Sequence, residues 1–311
     1  MKKLALIVLP SLAVFLGIFV GSYPTNPLNL TPGAVNIIWE IRLPRTLMGV
    51  SAGIALSLGG MTLQAIFRNP LVDTYILGVS SGVALGAAIA VAFLPFAGIA
   101  PLALLFGLLA VFFAYWMARI NGRISTVSLI LAGIIVTALF SALLSLLELL
   151  LPSESLYALV VWLMGSLSNA DWETVIYSLP GVLILAFLLF LLRWNLNAMS
   201  LGDEAELLGL NVHLWRGIFV FISALMTTLV VSFTGIIGWV GLMVPHMARM
   251  LVGPEHSRLI PATVSIGITV MVLADIVVRL LPGDVPVGII TTLVGVPFFG
   301  YLLRKTGGGW S

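Results

Sequence analysis

Long apolar runs, divided by charged residues, proline and glycine, dominate the chain. The first run extends from Leu4 to Val20, and the others lie near 46–66, 76–94, 99–118, 125–151, 174–192, 214–233, 236–251, 259–281 and 286–303. A bilayer has a hydrocarbon core about 30 Å thick, which a helix of about 20 apolar residues spans. The pattern therefore predicts an all-α integral membrane protein with about ten transmembrane helices.

Two apolar segments are open to more than one interpretation. Leu4 to Val20 follows Lys2 and Lys3 as a signal peptide would, but no A-x-A-like cleavage site precedes Gly21. We therefore expect a retained first helix. The stretch 152–171 is too apolar for an ordinary loop and predicts a short interfacial or re-entrant helix.

Lysine and arginine are unevenly distributed over the predicted loops, and cytoplasmic loops carry the basic excess. With the N-terminus inside, only Arg42, Arg45 and Arg279 of the 14 basic residues lie outside. The inner set is Lys2, Lys3, Arg68, Arg119, Arg123, Arg193, Arg216, Arg249, Arg258, Arg304 and Lys305. We therefore expect both termini in the cytoplasm. The segments after Arg45 and after Trp215 then run in opposite directions, which is compatible with an inverted repeat.

Composition narrows the class of protein further. Of the 311 residues 60% are apolar and 8% are charged, against about 25% charged in soluble domains. No soluble lobe is left over, so residues 1–311 form a single transmembrane domain. The net charge of +2 is no argument for nucleic acid binding. The absence of cysteine excludes disulfides, thiolate metal sites and cysteine nucleophiles.

Motifs for nucleotide hydrolysis and for metal-dependent proteolysis are absent from the sequence. G-x-x-x-x-G-K-[ST] cannot occur, because the only lysines are Lys2, Lys3 and Lys305, and there is no H-E-x-x-H. Gly78-Val79-Ser80-Ser81-Gly82 matches the nucleophile-elbow pattern but lacks the strand that should precede it. We expect no catalytic and no metal-binding residue.

Glu148, Asp275 and Arg279 lie inside predicted spans but within about a turn or two of their outer ends, and mid-span positions are apolar. Ion-coupled transporters usually keep such groups near mid-membrane. The pattern favours a conduit energised by another chain, with a stand-alone secondary transporter or channel as the alternative. Asp275 and Arg279 can pair on one helix face, either as an interfacial ion pair or, with the outer Arg42 and Arg45, as a contact for an acidic partner.

The longest polar segment is the predicted inner loop 195–216. Asp203, Glu204 and Glu206 suit the first turn of a short helix, where carboxylates favour the positive end of the dipole. Gly209 could cap that helix. We predict a short amphipathic cytoplasmic helix, with a plain solvated loop as the alternative.

Small residues recur at helical spacing inside the spans. They are Gly49-x-x-x-Gly53, Gly82-x-x-x-Gly86 and Gly235-x-x-Gly238-x-x-Gly241. Such spacing lets helix backbones approach closely. It predicts a tightly packed bundle.

Several spaced motifs follow one another along the chain. In the first half they are Arg42-Leu43-Pro44-Arg45, Gln64, Arg68-Asn69-Pro70-Leu71 and Leu77-Gly78-Val79-Ser80-x-Gly82. In the second half they are Gly238-Trp239-Val240-Gly241-Leu242-x-Val244-Pro245-His246-x-x-Arg249, Ala274-Asp275 with Arg279, Pro286-Val287-Gly288-Ile289, Gly295-Val296-Pro297-Phe298-Phe299 and Leu302-Leu303-Arg304. In this order they resemble the FecCD-type permeases, the type II ABC importers that take up iron siderophores, haem and cobalamin from a binding protein.

The resemblance implies a multi-pass permease of a prokaryotic cytoplasmic membrane, with ten helices per subunit. It implies a homodimer around a central path, two cytoplasmic ATPase subunits and an outer substrate-binding protein. This chain would bind no cofactor, and the ATPase would use ATP and Mg. The family's coupling helices, which contact the ATPases, map onto Leu201, Gly202, Glu204, Ala205, Leu208 and Gly209 within the cytoplasmic coupling loop 195–216. The implied cytoplasmic gate consists of Asn69, Leu71, Ser125 and Thr126, and the implied docking residues are Arg42, Arg45 and Arg279.

Two residues depart from the family pattern. Thr74 stands where proline is usual, and Asp284 stands where glutamate is usual. Both departures make it harder to assign the chain to a subfamily. The substrate stays open between a metal chelate and an oxyanion such as molybdate, which the family also includes.

Overall fold

The computed structural model describes residues 2–23, 25, 27–120, 123–283 and 285–306. Its α-helices are α1 Lys2–Phe19, α2 Pro32–Ile37, α3 Leu43–Phe67, α4 Val79–Phe93, α5 Ile99–Ala118, α6 Thr126–Leu150, α7 Ser153–Leu163, α8 Trp172–Leu191, α9 Arg193–Met199, α10 Val212–Thr234, α11 Val240–Val252, α12 His256–Leu280 and α13 Val287–Thr306. A π-helical turn, Ile38–Arg42, joins α2 to α3, and 3-10 helices cover Thr74–Leu77, Pro95–Ala97 and Gly202–Leu208. Two-residue strands, β1 Arg119–Ile120 and β2 Arg123–Ile124, pair antiparallel.

The predicted all-α membrane fold is confirmed, and each of the ten predicted apolar runs overlaps one of these helices. In the described part of the chain, six helical stretches are long and apolar enough to cross a membrane. They are α2 to α3 taken together, α5, α6, α8, α10 and α12. The count of ten spans and the cytoplasmic termini stay predictions. The apolar stretch 152–171 contains the short helix α7, as predicted.

Polar side chains begin several of the long helices. Ser125 Oγ accepts a hydrogen bond from Ser128 N at 3.0 Å and so caps α6. The Asp171 carboxylate accepts one from Thr174 N at 2.8 Å and caps α8. Both form capping boxes, which satisfy backbone N–H groups that lack a partner in the first turn. These local signals fix where the two helices start.

Helix α3 forms the centre of the bundle and packs against α8, α10, α11 and α12. The most apolar stretch of the α2–α3 segment is 89% buried, whereas those of α5, α6 and α8 are 22–28% buried. The peripheral helices therefore present apolar side chains outward, as expected of a protein surrounded by lipid.

Glycines allow the close contacts in this bundle. A Cβ at Gly53 would overlap the carbonyl of Gly267 on α12, and one at Gly60 would overlap the carbonyl of Gly241 on α11. The prediction of close approach is thus confirmed for Gly53 and Gly241, as it is for Gly82, Gly86 and Gly235. It is wrong for two positions: Gly49 makes ordinary contacts only, and the space beside Gly238 is open.

One end of the bundle, called the basic end below, gathers the segments predicted to be inner loops. Arg68, at the end of α3, lies against Gly202. Asn197 Oδ1, from α9, accepts a hydrogen bond from His256 N at the start of α12, at 2.9 Å. These contacts join loops that are far apart in sequence.

The opposite end gathers the segments predicted to be outer loops. Trp172 Nε1, at the start of α8, donates a hydrogen bond to Trp39 O at 3.1 Å, and the two rings lie 5.0 Å apart. Arg42 Nη1 donates to Phe19 O at the end of α1. The predicted sorting of the loops into two groups therefore agrees with the contacts.

Two helices, α4 and α11, begin inside the bundle rather than at its ends. Each follows a residue with positive φ, Gly78 at 85° and Trp239 at 71°. The carbonyl of Ile76 lies where a Cβ of Gly133 would be, seven residues or about 10 Å into α6. The short α4 runs away from the basic end and α11 runs towards it, which suits an inverted repeat of broken helices.

The loop before α4 is predicted to be an inner loop at the end of the bundle, but its residues 73–75 lie inside the bundle. The Asp73 side chain accepts a hydrogen bond from Tyr75 N at 3.0 Å, and Tyr75 Oη donates one to Ile237 O at 2.8 Å. Thr74, at the position where the family usually has proline, is buried against Gly59. The other departure, Asp284, lies outside the described residues.

Candidate functional sites at the two ends of the bundle

A buried ion cluster ties α3 to α12 at the opposite end. Arg45 Nε lies 2.8 Å from Asp275 Oδ1, and Arg279 pairs with Oδ2 of the same carboxylate. The side chains of Asp275 and Arg279 are 1% and 6% exposed, and that of Arg45 is 14% exposed. The predicted pair of Asp275 and Arg279 is therefore confirmed, and Arg45 completes a cluster with a net charge of +1.

Arg42 lies close to this cluster but bonds to the chain that follows α1. Its guanidinium donates to Phe19 O at 2.7 Å, to Thr25 Oγ1 at 2.8 Å and to Tyr23 O. Arg42 is only 4% exposed. The three predicted docking arginines thus occur together, but each has internal partners.

All three arginines line one cavity at the opposite end, with a volume of about 540 Å³. Backbone and side chains of the 21–23 segment and of the 281–283 turn form the rest of its wall. Opposite charge attracts an acidic side chain to such a cavity. A partner would reach the arginines through this cavity rather than on a protruding surface.

Within the predicted coupling loop 195–216, residues 201–211 contain a short helix at the basic end and are called the coupling segment below. Gly202–Leu208 is a 3-10 helix, with Asp203 and Glu204 in its first turn. Gly209 ends it with φ of 79° and donates its N–H to Glu206 O at 2.9 Å, as a left-handed C-cap does. The predicted short helix and its glycine cap are confirmed, whereas a plain loop is not observed.

The predicted loop 195–216 is shorter than its polar composition indicated. Helix α9 continues to Met199 and α10 already begins at Val212. Between them, Leu207 and Leu208 are 87% and 62% exposed. Two large apolar side chains beside three carboxylates give this segment an exposed amphipathic surface.

Two consecutive residues of the coupling segment connect it to the two predicted gate loops, one beside Asn69 and the other through Arg216. A Cβ at Gly202 would lie 2.9 Å from Nη1 of Arg68, the residue before Asn69. Asp203 Oδ1 lies 3.4 Å from Nη2 of Arg216, on α10. Arg216 Nη1 in turn donates to the carbonyl of Ile124, the residue before Ser125.

Arg216 is buried, with a side chain 4% exposed, whereas the Asp203 side chain is 90% exposed. The guanidinium therefore connects a buried backbone carbonyl with a carboxylate at the surface. Sequence reasoning placed Arg216 only among the inner basic residues. No motif marked it, because its contact with Ile124 spans 92 positions in the chain.

The four predicted gate residues lie in two loops of the basic end, and some have local structural roles. Asn69 Oδ1 accepts a hydrogen bond from Leu71 N at 2.9 Å, which forms a tight turn. Ser125 caps α6, and Thr126 is the first residue of that helix. Leu71 is 51% exposed. These roles fix the loops, while the Leu71 side chain is exposed and Thr126 is partly buried.

Comparison with known proteins places the fold in a class: a multi-pass helical permease of prokaryotic cytoplasmic membranes. The model of the FecCD transport family matches residues 7–305, so the chain belongs to that family. The chain is 40% identical over 284 residues to the molybdate import system permease protein MolB of Haemophilus influenzae, covering 89% of this chain and 84% of that one. It is 40% identical over 274 residues to a Helicobacter pylori protein assigned as an iron chelatin transport system permease, covering 88% and 83%.

A solved structure has nearly the same fold. It is assigned to the metal-chelate type of ABC transporter and has an inward-facing conformation. It superposes with a TM-score of 0.91 at 37% identity, over 97% of this chain and 98% of that one. The predicted family, fold class and permease function are therefore confirmed.

Proposed function

We propose that the chain is the permease subunit of an ATP-driven importer in which separate ATPase subunits hydrolyse ATP with Mg. The observation that carries the proposal is the contact of Gly202 and Asp203 with Arg68 and Arg216. This exposed amphipathic segment lies beside one gate loop, at Arg68, and is linked to the other through Arg216. Such an arrangement suits an element that passes movement from an ATPase to a gate. The basic end would face the cytoplasm, since cytoplasmic loops carry the basic excess.

Two copies would form the translocation path, with a gate at the basic end made of Asn69, Leu71, Ser125 and Thr126 from each copy. The absence of native cysteine makes this testable with Leu71→Cys and Thr126→Cys. We expect a disulfide between the two copies of residue 71 or 126 that forms in one nucleotide state and blocks uptake. As a matched control, Val127→Cys replaces a side chain that is 74% exposed beside Thr126.

Failure of both gate variants to cross-link in every nucleotide state would place the gate elsewhere. Equal cross-linking of residues 126 and 127 in all states would indicate a static contact between copies rather than a gate. Size-exclusion chromatography of the same variants would separate loss of the dimer from loss of the gate.

The outer partner would be a substrate-binding protein, whose acidic side chains enter the cavity lined by Arg42, Arg45 and Arg279. A two-fold dimer presents this cavity twice, so a bilobed partner would engage one copy with each lobe. That arrangement would centre the partner over the path.

The substrate we propose is a metal chelate of the siderophore, haem or cobalamin type. The iron chelatin relative and the metal-chelate transporter of nearly the same fold support this class. Molybdate is the second candidate, since a molybdate permease is equally similar in sequence. Uptake assays with a ferric siderophore, haem, cobalamin and molybdate in the reconstituted complex would decide between the two classes.

A further inference from the structure

A second cavity, called the basic cavity below, opens at the basic end between α3, α11, α12 and α13. Its volume is about 660 Å³. The charged and titratable side chains among its described lining residues are Arg68, Arg249, Lys305, His246 and His256. No aspartate or glutamate occurs among the described residues of that lining. Three cations thus line the cavity without an anion among its described lining residues.

Glu255, which lies between the lining residues Pro254 and His256, has hydrogen-bond partners outside the lining. Glu255 accepts hydrogen bonds from Ser257 N at 3.0 Å and from Asn197 Nδ2 at 3.5 Å. It also lies 3.9 Å from Arg258, whose side chain is 79% exposed. These bonds hold the carboxylate at the start of α12, and Glu255 is not among the described lining residues of the basic cavity.

Arg249 in the basic cavity has a hydrogen-bond donor that the described residues do not satisfy. Its Nε makes a long hydrogen bond of 3.4 Å to Pro245 O, and its Nη2 is buried with no hydrogen-bond partner among the described residues. Buried donors are normally satisfied, because leaving one unpaired costs free energy. A guanidinium fork matches the oxygens of a phosphate group.

The walls of the basic cavity are apolar as well as cationic. Met61, Leu259 and Leu302 line it and are 1–3% exposed. A cavity with both features suits an amphipathic anion better than an inorganic ion. Basic pockets between transmembrane helices on the cytoplasmic side commonly bind lipid headgroups.

We propose that the basic cavity binds a phosphate group, namely the headgroup of an anionic phospholipid, with Arg249 as the central ligand and Arg68 and Lys305 beside it. The proposal goes beyond the permease function. It concerns the isolated chain, and its test needs neither an ATPase nor a binding protein.

The test is native mass spectrometry of the purified chain, delipidated in a neutral detergent and titrated with phosphatidylglycerol or phosphatidylcholine. We expect the parent to prefer phosphatidylglycerol. Each cation near the headgroup is worth roughly a fivefold change in affinity, so an Arg249→Gln, Lys305→Gln double variant should bind about 25-fold more weakly. The matched control is Arg258→Gln, Arg304→Gln, which removes two exposed charges from the same end but outside the cavity lining.

A second arm uses inorganic phosphate and thermal unfolding. Stabilisation of the parent but not of the double variant by phosphate alone would show that a soluble oxyanion occupies the same ligands. Equal binding of both lipids by the parent, or equal binding by parent and double variant in both arms, would overturn the proposal. If the double variant does not fold, Lys305→Gln alone, at the exposed end of α13, should still lose about fivefold in affinity.

Discussion

Arg216 provides the sharpest test of how the coupling segment is linked to the gate. Its Nη1 donates to the buried carbonyl of Ile124, and its Nη2 lies 3.4 Å from the largely exposed Asp203. A hydrogen bond to a charged group is worth about 1.5–3 kcal/mol. An ion pair with a solvent-exposed partner is worth about 0.2–1 kcal/mol. The bond to Ile124 therefore dominates.

Arg216→Met keeps most of the apolar stem and removes the donors. From the free energies above, Arg216→Met should raise the equilibrium constant for separating the Ile124 loop from α10 by roughly 10- to 150-fold. Asp203→Asn should raise the same constant by about fivefold at most. The assay is the ratio of ATP hydrolysed to substrate imported by the reconstituted complex. We expect Arg216→Met to hydrolyse ATP while import falls at least about tenfold.

The matched control is Arg258→Met, which removes an exposed arginine from the same end, 3.9 Å from its partner Glu255. It should import like the parent. Normal coupling in a folded Arg216→Met variant would refute the link through Ile124. A defect in Asp203→Asn as large as that in Arg216→Met would show instead that the surface ion pair carries the link.

Three further predictions concern the other sites. Gly209→Val should reduce copurification of the ATPase, because φ of 79° strains a β-branched residue although the surrounding space is open; unchanged assembly would remove this segment from the contact. The Arg42→Glu, Arg45→Glu double variant should bind the binding protein more weakly and with an altered salt dependence; parental affinity and salt slope would reject docking there. Gly86→Ala should lower the free energy of unfolding by about 1–3 kcal/mol, because the new Cβ would overlap the backbone of α5. Gly300→Ala, where the space is open, should leave it unchanged, and equal melting temperatures of the two variants would contradict this packing.

Much of the fold could be predicted from local patterns. Each of the ten apolar runs overlaps an α-helix, and the apolar stretch 152–171 contains α7. Both could be predicted because each pattern is formed by residues close together in sequence. The cap at Gly209 and the pair of Asp275 with Arg279 could be predicted for the same reason. Each depends on residues only a few positions apart.

What could not be predicted depends on contacts between distant segments. Arg45 reaches Asp275 across 230 positions and is drawn inward by it. Asp73 lies between the predicted runs 46–66 and 76–94, where a loop at the end of the bundle is expected. Because α4 starts inside the bundle, the last part of this loop lies inside it as well. Arg216 meets Ile124 only because α10 packs beside the short strand pair. Hydropathy and spacing contain no information on such pairings.

Energy supply by a separate ATPase is tested most directly by reconstituting the purified chain in liposomes, alone and together with its ATPase and binding protein. The chain alone should not accumulate a candidate substrate against a gradient, and the full complex should do so only with ATP and Mg. Sustained accumulation by the chain alone, without the ATPase, would contradict the proposed function and favour a stand-alone transporter.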